Sequence, residues 1–311
     1  MPPPSPSPSG RLQWADVPPP LRARLETTLG APVTEAVTPS GGFGHQLAAA
    51  LRLAGGRRVF VKAAPDDDPL TVANLHEAAA LDALPPYAPA PDLLGIHRTA
   101  GWTAVVIAHL DGPDPDLSPA SGDVEQTWAL LDSLTAAPAP ASYVAAVSAA
   151  PSAAGLLHGW KELRDDPPDD LAPAARSHLP QLAELEAAWP ALATGDRVVH
   201  GDLRADNMVR DHDRGVTFVD WAHATTGPAC VDAASLAPQL VLAGHAPQTS
   251  PACSWTTPPP PAALTPPPHS SRHSPATGTA TPAGPPHPAP PDCATTNTAR
   301  QQPDSPSWTT A

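Results

Sequence analysis

Val198-Val199-His200-Gly201-Asp202-Leu203-Arg204-Ala205-Asp206-Asn207-Met208-Val209, with its sequel Val216-Thr217-Phe218-Val219-Asp220-Trp221, sets polar residues against short apolar runs. Each part opens or closes on a short apolar run of strand type. Asp202, Asn207 and Asp220 stand at the edges of those runs, where strands hand over to loops. Two carboxylates and an amide form a set of oxygen ligands for a hard cation. A carboxylate beyond those the cation uses would take a proton from a hydroxyl. Singly, an Asp or Asn at a strand end is a turn former. The spaced trio points to phosphoryl transfer.

Composition narrows the alternatives. A chain of 311 residues holds one large domain or two small ones, and its apolar content of 41% is just below the globular average. The 47 Pro are about three times ordinary usage, and Lys occurs twice against fifteen Arg. No run of about 18 apolar residues exists, so no membrane span is expected. Residues 1–10 alternate Pro and Ser without a basic start or an apolar core, which predicts disorder and no secretory signal. Cys230, Cys253 and Cys293 show no metal or disulfide spacing and fit a reducing cytoplasm. A net charge of −14 argues against nucleic acid or an anionic membrane as partner.

Outward from the central stretch, the chain reads as two unequal parts and a tail. Trp14–Leu29 has helical spacing at Val17, Leu21, Leu25 and Leu29. Residues 33–37 read as a strand, followed by the glycine-rich turn Ser40-Gly41-Gly42-Phe43-Gly44. Residues 47–53 and 58–63 read as a hairpin around Gly55-Gly56. Residues 70–84 read as a helix with Val72, Leu75, Ala79 and Leu84 on one face. Residues 93–97 and 103–108 make another strand pair, and 111–115 is a linker. Helices are expected from Ser118-Pro119 to about Leu134, near 143–149, 154–163 and 173–188, and over 231–241. A short strand at 197–200 precedes a hairpin of 207–210 with 216–219. From Pro247 to Ala311 there are 18 Pro and no Val, Ile, Met, Phe or Tyr, a composition that predicts disorder. The boundaries are therefore 1–10 disordered, 11–112 a smaller N-terminal lobe with a sheet, 113–246 a mainly helical lobe, and 247–311 the tail.

His200-Gly201-Asp202-Leu203-Arg204-Ala205-Asp206-Asn207 followed by Val219-Asp220-Trp221 resembles the catalytic core of the aminoglycoside phosphotransferase family. That family is a small-molecule branch of the protein-kinase-like fold. The resemblance covers roughly Thr34 to Gly244, and H-x-D-x-x-x-x-N with a second Asp soon after is its most specific element. It implies a bilobal α+β fold, with a small antiparallel-sheet N-lobe over a mainly helical C-lobe. It implies a small-molecule hydroxyl acceptor, with ATP and Mg2+ as cofactors, and by extension antibiotic resistance. Asp202 would orient the hydroxyl, while Asn207 and Asp220 would hold the metal.

Other residues gain roles from the same resemblance. Lys62 ends the run Val59-Phe60-Val61, where kinase-like folds place the lysine that holds the nucleotide phosphates. An edge-strand lysine is the plain alternative, but a chain that otherwise uses Arg has little need of one. Glu77 would pair with Lys62. Gly42 and Gly44 would bring backbone amides to the phosphates, although the loop lacks a third glycine and alone reads equally as a hairpin turn. The adenine would meet the backbone at Ala108-His109-Leu110. Asp232 is expected to brace the catalytic loop. His200 either supports that loop or joins Asp202 and His223 at a metal. The runs Asp165-Asp166 and Asp169-Asp170 would attract a polycationic acceptor or remain solvated loop charge.

Departures from the family bear on activity. Gly201 replaces the Arg of protein kinases, and only eleven residues separate Asp220 from Asp232, with no Ala-Pro-Glu. Both point to a small molecule as acceptor and away from a peptide. Where the family continues in helices, this chain has its Pro/Thr/Ser tail, the pattern of a reading-frame change near Gly244–Gln248. The competing reading is thus an impaired kinase-like protein that binds nucleotide and uses a Pro-rich tail for interaction. No feature of the sequence sets an oligomeric state.

Overall fold

The computed structural model describes residues 11–39, 44–148 and 159–246. The expectations for 1–10, for Gly42 and the rest of the turn at 40–43, for the helix start at Ala154, and for the tail at 247–311 lie outside the described residues.

Residues Trp14–Asp16 form one 3-10 turn, and α1 begins only at Pro19 and runs to Leu29. The expected single helix breaks at Pro18-Pro19-Pro20, which suit a helix start, where their missing N–H groups would be unpaired anyway. Gly30, at φ 79°, ends α1 in the left-handed conformation. Five strands follow in an antiparallel sheet ordered β1-β2-β3-β5-β4. They are β1 (Val33–Val37), β2 (Leu47–Leu53), β3 (Arg58–Pro65), β4 (Leu93–Thr99) and β5 (Trp102–Ala108). Gly55 and Gly56, both at positive φ, make the β2–β3 turn.

Strand alternation divides the sheet's labour. Val59, Val61 and Ala63 of β3 are buried with Leu21 and Leu25 of α1. Arg58, Phe60 and Lys62 take the opposite face. On that face Lys62 is in register with Ala48 and Val105, and Phe60 with Ala50 and Ile107. The face thus carries a small apolar ceiling with one lysine at its inner end.

Helix α2 (Pro69–Ala83) is capped by Asp68, whose carboxylate accepts the Leu70 N–H at 2.9 Å. Its buried face is not the expected one. Val72 is 70% exposed, while Thr71, Asn74, Glu77, Ala78 and Ala80 are buried. Specific bonds outweigh apolar burial here. The Thr71 hydroxyl donates to Pro65 O, the Asn74 amide donates to the Gln46 side chain, and Glu77 pairs with Lys62.

The remainder is mainly helical: α3 (Gly122–Thr135), α4 (Ala141–Val147), α5 (Gly159–Asp165), α6 (Pro173–Leu192) and α7 (Val231–Leu242). Helix α3 starts at Gly122 and not at Ser118, because Ser121 supplies the cap to the Asp123 N–H. Two small ribbons carry the central sequence stretch. β6 (Arg197–Val199) pairs with β9 (Thr225–Gly227), and β7 (Met208–Asp211) pairs with β8 (Gly215–Phe218). Strand β9 was not expected. The Tyr143 hydroxyl lies 3.3 Å from both Val199 O and Thr225 O, tying α4 to this ribbon. Beneath the ribbons Leu131, Leu134, Leu203, Met208, Phe218, Trp221, Leu236 and Leu240 form one core. Among the described residues no helix is long and apolar enough to cross a membrane.

Urea unfolding checks the inverted face of α2. Val72→Ser is expected to change stability by less than about 0.5 kcal/mol, whereas Leu25→Ala at the sheet–α1 contact costs about 2–5 kcal/mol. A Val72 variant as costly as the Leu25 variant would restore the apolar-face reading.

Candidate active site

The site is built on a loop that cannot move far. Asp232, buried at the start of α7, accepts the backbone N–H groups of His200 (2.8 Å) and Gly201 (2.9 Å). Burial pushes its carboxyl up, offset in part by His200 and these two amides. His200 is fully buried, and both its nitrogens are occupied. Nε2 lies 2.9 Å from Val219 O, and Nδ1 lies 3.3 Å from the Asp202 N–H. A carbonyl needs a donor and an amide needs an acceptor, so the ring is the neutral Nε2–H tautomer. Burial also drives its pKa down. His200 therefore supports the loop and joins no metal. The His200–Asp202–His223 metal alternative falls, and no group of three His, Cys, Asp or Glu able to hold a metal occurs among the described residues.

Gly201 has φ 84°, and a Cβ there would run into the backbone carbonyl of His223. The absence of the protein-kinase Arg thus has a steric cause: only glycine lets the loop pass so close to the chain after Asp220.

Beyond Gly201 the loop displays Asp202, one-third exposed. The Asn207 amide nitrogen donates to Asp202 O (2.7 Å) and to Asp202 Oδ2 (3.0 Å). That fixes the amide's orientation and leaves its oxygen as the atom available to a cation. Asp220 follows β8 with φ 63° and ψ 59°, a left-handed conformation uncommon outside glycine. Such strain marks functional sites when the surroundings enforce it.

Three charges then join the sheet to the helical part. Lys62 Nζ lies 2.6 Å from Glu77 Oε2 and 2.8 Å from Asp220 Oδ1. Burial opposes the charge on Lys62, yet Glu77 and Asp220 outweigh it and hold its pKa above the ordinary value. Burial likewise works against ionised Asp220, but Lys62 keeps that carboxyl below the usual range. Glu77 is pushed up by burial, with Lys62 opposing, and it also accepts a backbone N–H from Trp221. On the neighbouring residue, His76 Nε2 lies 2.7 Å from Ala224 O, so α2 is fastened to the segment after Asp220 by two adjacent side chains.

His109 and Leu110 follow β5 and line a cleft of about 270 Å3 together with Val37, Ala50, Arg52 and Arg58. The Ala108 N–H is spent on Asp92 O at 2.8 Å, so the amides left to meet a base are those of His109 and Leu110. Burial, with Arg58 nearby, lowers the His109 pKa. A larger open groove, about 730 Å3, lies between α2 and α4, but Asp82 is its sole titratable lining residue.

Gly44 precedes β2, where a Cβ would make only ordinary contacts. Packing does not demand glycine there. Asp165 is paired with Lys161 (3.0 Å) and Arg164 (2.8 Å), so part of the acidic run is neutralised within α5. Sequence reasoning missed His76, the backbone acceptor role of Val219, and Gln239, whose side chain accepts the Ala205 N–H at 2.7 Å. No local pattern marks any of the three.

The buried imidazole makes a pH prediction. Its folded pKa lies below the ordinary value of about 6.5, so the unfolded chain binds more protons. The stability His200 contributes is full above about pH 6.5 and is lost as pH falls toward the folded pKa, at up to about 1.4 kcal/mol per pH unit. Melting temperatures at pH 7.5 and 5.5 should therefore drop less for His200→Asn than for the wild type. An equal drop would contradict a buried neutral His200.

The model of the phosphotransferase enzyme family, APH, matches residues 38–253, more than half of the chain. No curated protein sequence matches. Many solved structures match, and two of them show the shared fold. The GDP and kanamycin complex of APH(2")-IIia aligns with a TM-score of 0.51 at 15% identity, covering 70% of this chain and 77% of that one. Choline kinase LicA from Streptococcus pneumoniae aligns with a TM-score of 0.50 at 14% identity, covering 70% and 73%. At such identities the likeness speaks for the fold: an antiparallel-sheet lobe over a mainly helical one, as in protein-kinase-like phosphotransferases. Read with the loop geometry and the length of the match, the chain belongs to the phosphotransferase enzyme family.

Proposed function

We propose that the chain is a small-molecule kinase, moving the γ-phosphoryl group of ATP to an alcohol hydroxyl. One observation carries the reading. The Lys62–Asp220 contact (2.8 Å) sets a cation and a carboxylate from opposite lobes side by side, with the Asp202–Asn207 pair on the neighbouring loop. Catalysis of this transfer is mainly positioning and electrostatic stabilisation, and these residues supply both.

Lys62, oriented by Glu77, binds nucleotide phosphates as a compact cation. The amides of His109 and Leu110 meet the base, and Gly44 borders the phosphates. Asp202 accepts the hydrogen bond of the acceptor hydroxyl and directs its lone pair at phosphorus. Asp220 and the Asn207 amide oxygen would hold Mg2+. Two protein oxygens suit magnesium, which takes the rest of its octahedron from phosphates and water, and they suit zinc or calcium cages poorly. When bound, the metal neutralises phosphate charge.

The acceptor is an alcohol of a small molecule. Membership of an aminoglycoside-directed group, and with it a part in antibiotic resistance, depends on which alcohol that is. Purified protein with Mg-ATP and a panel of aminoglycosides, macrolides and choline-like alcohols should release ADP with at least one of them. Asp202→Ala should lower that rate by about 10²–10⁴-fold. Turnover that survives the substitution would remove Asp202 from its role. The second reading, nucleotide binding without transfer, is favoured by the end of α7, where Val241 is 40% and Leu242 88% exposed beyond the buried Leu236 and Leu240. A melting temperature raised by Mg-ATP without any ADP release would support it.

A further inference from the structure

Asp211 closes β7, and none of the roles above use it. Its carboxylate is divided between two tasks. Oδ1 accepts the N–H groups of Asp213 and Arg214, both at 3.0 Å, and so caps the turn into β8. Oδ2 accepts the Asp111 N–H at 3.1 Å, from a residue 100 positions earlier. Burial opposes the charge on Asp211, yet the Asp111, Asp213 and Arg214 amides hold its carboxyl below the usual range.

Asp111 lies in the linker after β5, next to Leu110, and the same ribbon grips that linker twice more. The Arg210 N–H donates to Pro113 O at 2.9 Å. Gly112, between the two bonds, lies so close that a Cβ would run into the Arg210 carbonyl, so only glycine fits. On the other side of His109, the Ala108 N–H is spent on Asp92 O, and the Asp92 carboxylate pairs with Arg214 at 2.7 Å. Both partners of that pair are exposed, so it contributes little, whereas a hydrogen bond to a charged acceptor contributes more. The amides of His109 and Leu110 thus lie between two anchored points, and Asp211 is the firmer anchor. The far end of the ribbon carries Asn207, just before β7, and Asp220, two residues after β8. The strand steps from Met208 to Asp211 span about 10 Å, the scale of a nucleotide from its base to its outer phosphates.

We propose that Asp211 is a positioning residue for the nucleotide: it fastens the linker to the ribbon that bears Asn207 and Asp220, and so sets the base-binding amides at a fixed distance from the phosphate end. The proposal rests on the nucleotide-binding part of the kinase reading above. Hydrogen bonds to a base are short and directional, so a linker released from the ribbon meets the base poorly. The reacting atoms lie at the other end, where Lys62, Asp202 and Asp220 keep their own supports. Loss of the anchor therefore weakens ground state and transition state alike, which raises KM and leaves kcat.

The test compares wild type with Asp211→Asn and Gly112→Ala. An Asn side chain keeps an oxygen for the Asp213 and Arg214 amides, but its NH2 group cannot accept the Asp111 N–H. Calorimetry measures Kd for adenosine and for magnesium tripolyphosphate, which probe the two ends of the site separately and need no acceptor. Kinetics measures kcat and KM for ATP. Asp211→Asn should raise the adenosine Kd and the KM for ATP about tenfold. Its kcat and its tripolyphosphate Kd should stay within about threefold of wild type. Gly112→Ala, which lifts the linker from the other side, should give the same split, and it carries the test if Asp211→Asn does not fold. Wild-type adenosine affinity and KM in the folded variants would overturn the proposal. So would adenosine and tripolyphosphate affinities that fall together, which would make Asp211 a general brace of the fold. A wild type that binds neither probe would bring down the nucleotide reading itself, and this proposal with it.

Discussion

Lys62 between Glu77 and Asp220 is the interaction on which the rest of the structure depends. A buried ammonium is costly unless carboxylates surround it, and here one carboxylate comes from α2 and the other from the chain after β8. The contact therefore fixes three elements at once. It sets which face of α2 turns inward, why that face is polar, and where the sheet stands over the catalytic loop. His76 on Ala224 and the Trp221 N–H on Glu77 repeat the tie within the same turn of helix. One residue on, the indole N–H of Trp221 donates to Phe218 O, anchoring the left-handed turn at Asp220 in the helical core.

A second constraint lies beneath the first. Asp232 holds the loop by two amides, His200 spans from that loop to Val219, and Gly201 lets the loop lie against His223. These contacts leave Asp202 and Asn207 little freedom. Preorganisation of this kind is what phosphoryl transfer needs, because the protein contributes position and charge more than covalent chemistry.

The parts legible in the sequence were those with a local signature. Strand alternation and paired glycines announced the β2–β3 hairpin, and the H-x-D-x-x-x-x-N spacing announced the loop. The parts that were not legible depend on partners far along the chain. Val72, Leu75 and Ala79 form an ordinary apolar stripe; the Lys62–Glu77 pair was expected from the resemblance, but the stripe itself gives no sign that this pair turns the polar face of α2 inward. Thr225-Thr226-Gly227 has no apolar alternation and becomes β9 only because β6 lies opposite. Gly201 looked like the loss of an arginine, yet it answers a steric demand set by His223. Pro18-Pro19 split the first helix, a local rule that the apolar spacing concealed.

On the proposed kinase reading, Lys62 and Asp220 act as one unit joining the two lobes where the phosphates would bind. A double-mutant cycle with Lys62→Met and Asp220→Asn, read as Mg-ATP affinity by calorimetry, tests it most directly. The claim predicts strong non-additivity, with the double variant scarcely weaker than either single one and a coupling above about 1 kcal/mol. Effects that add to within about 0.3–0.5 kcal/mol would contradict it.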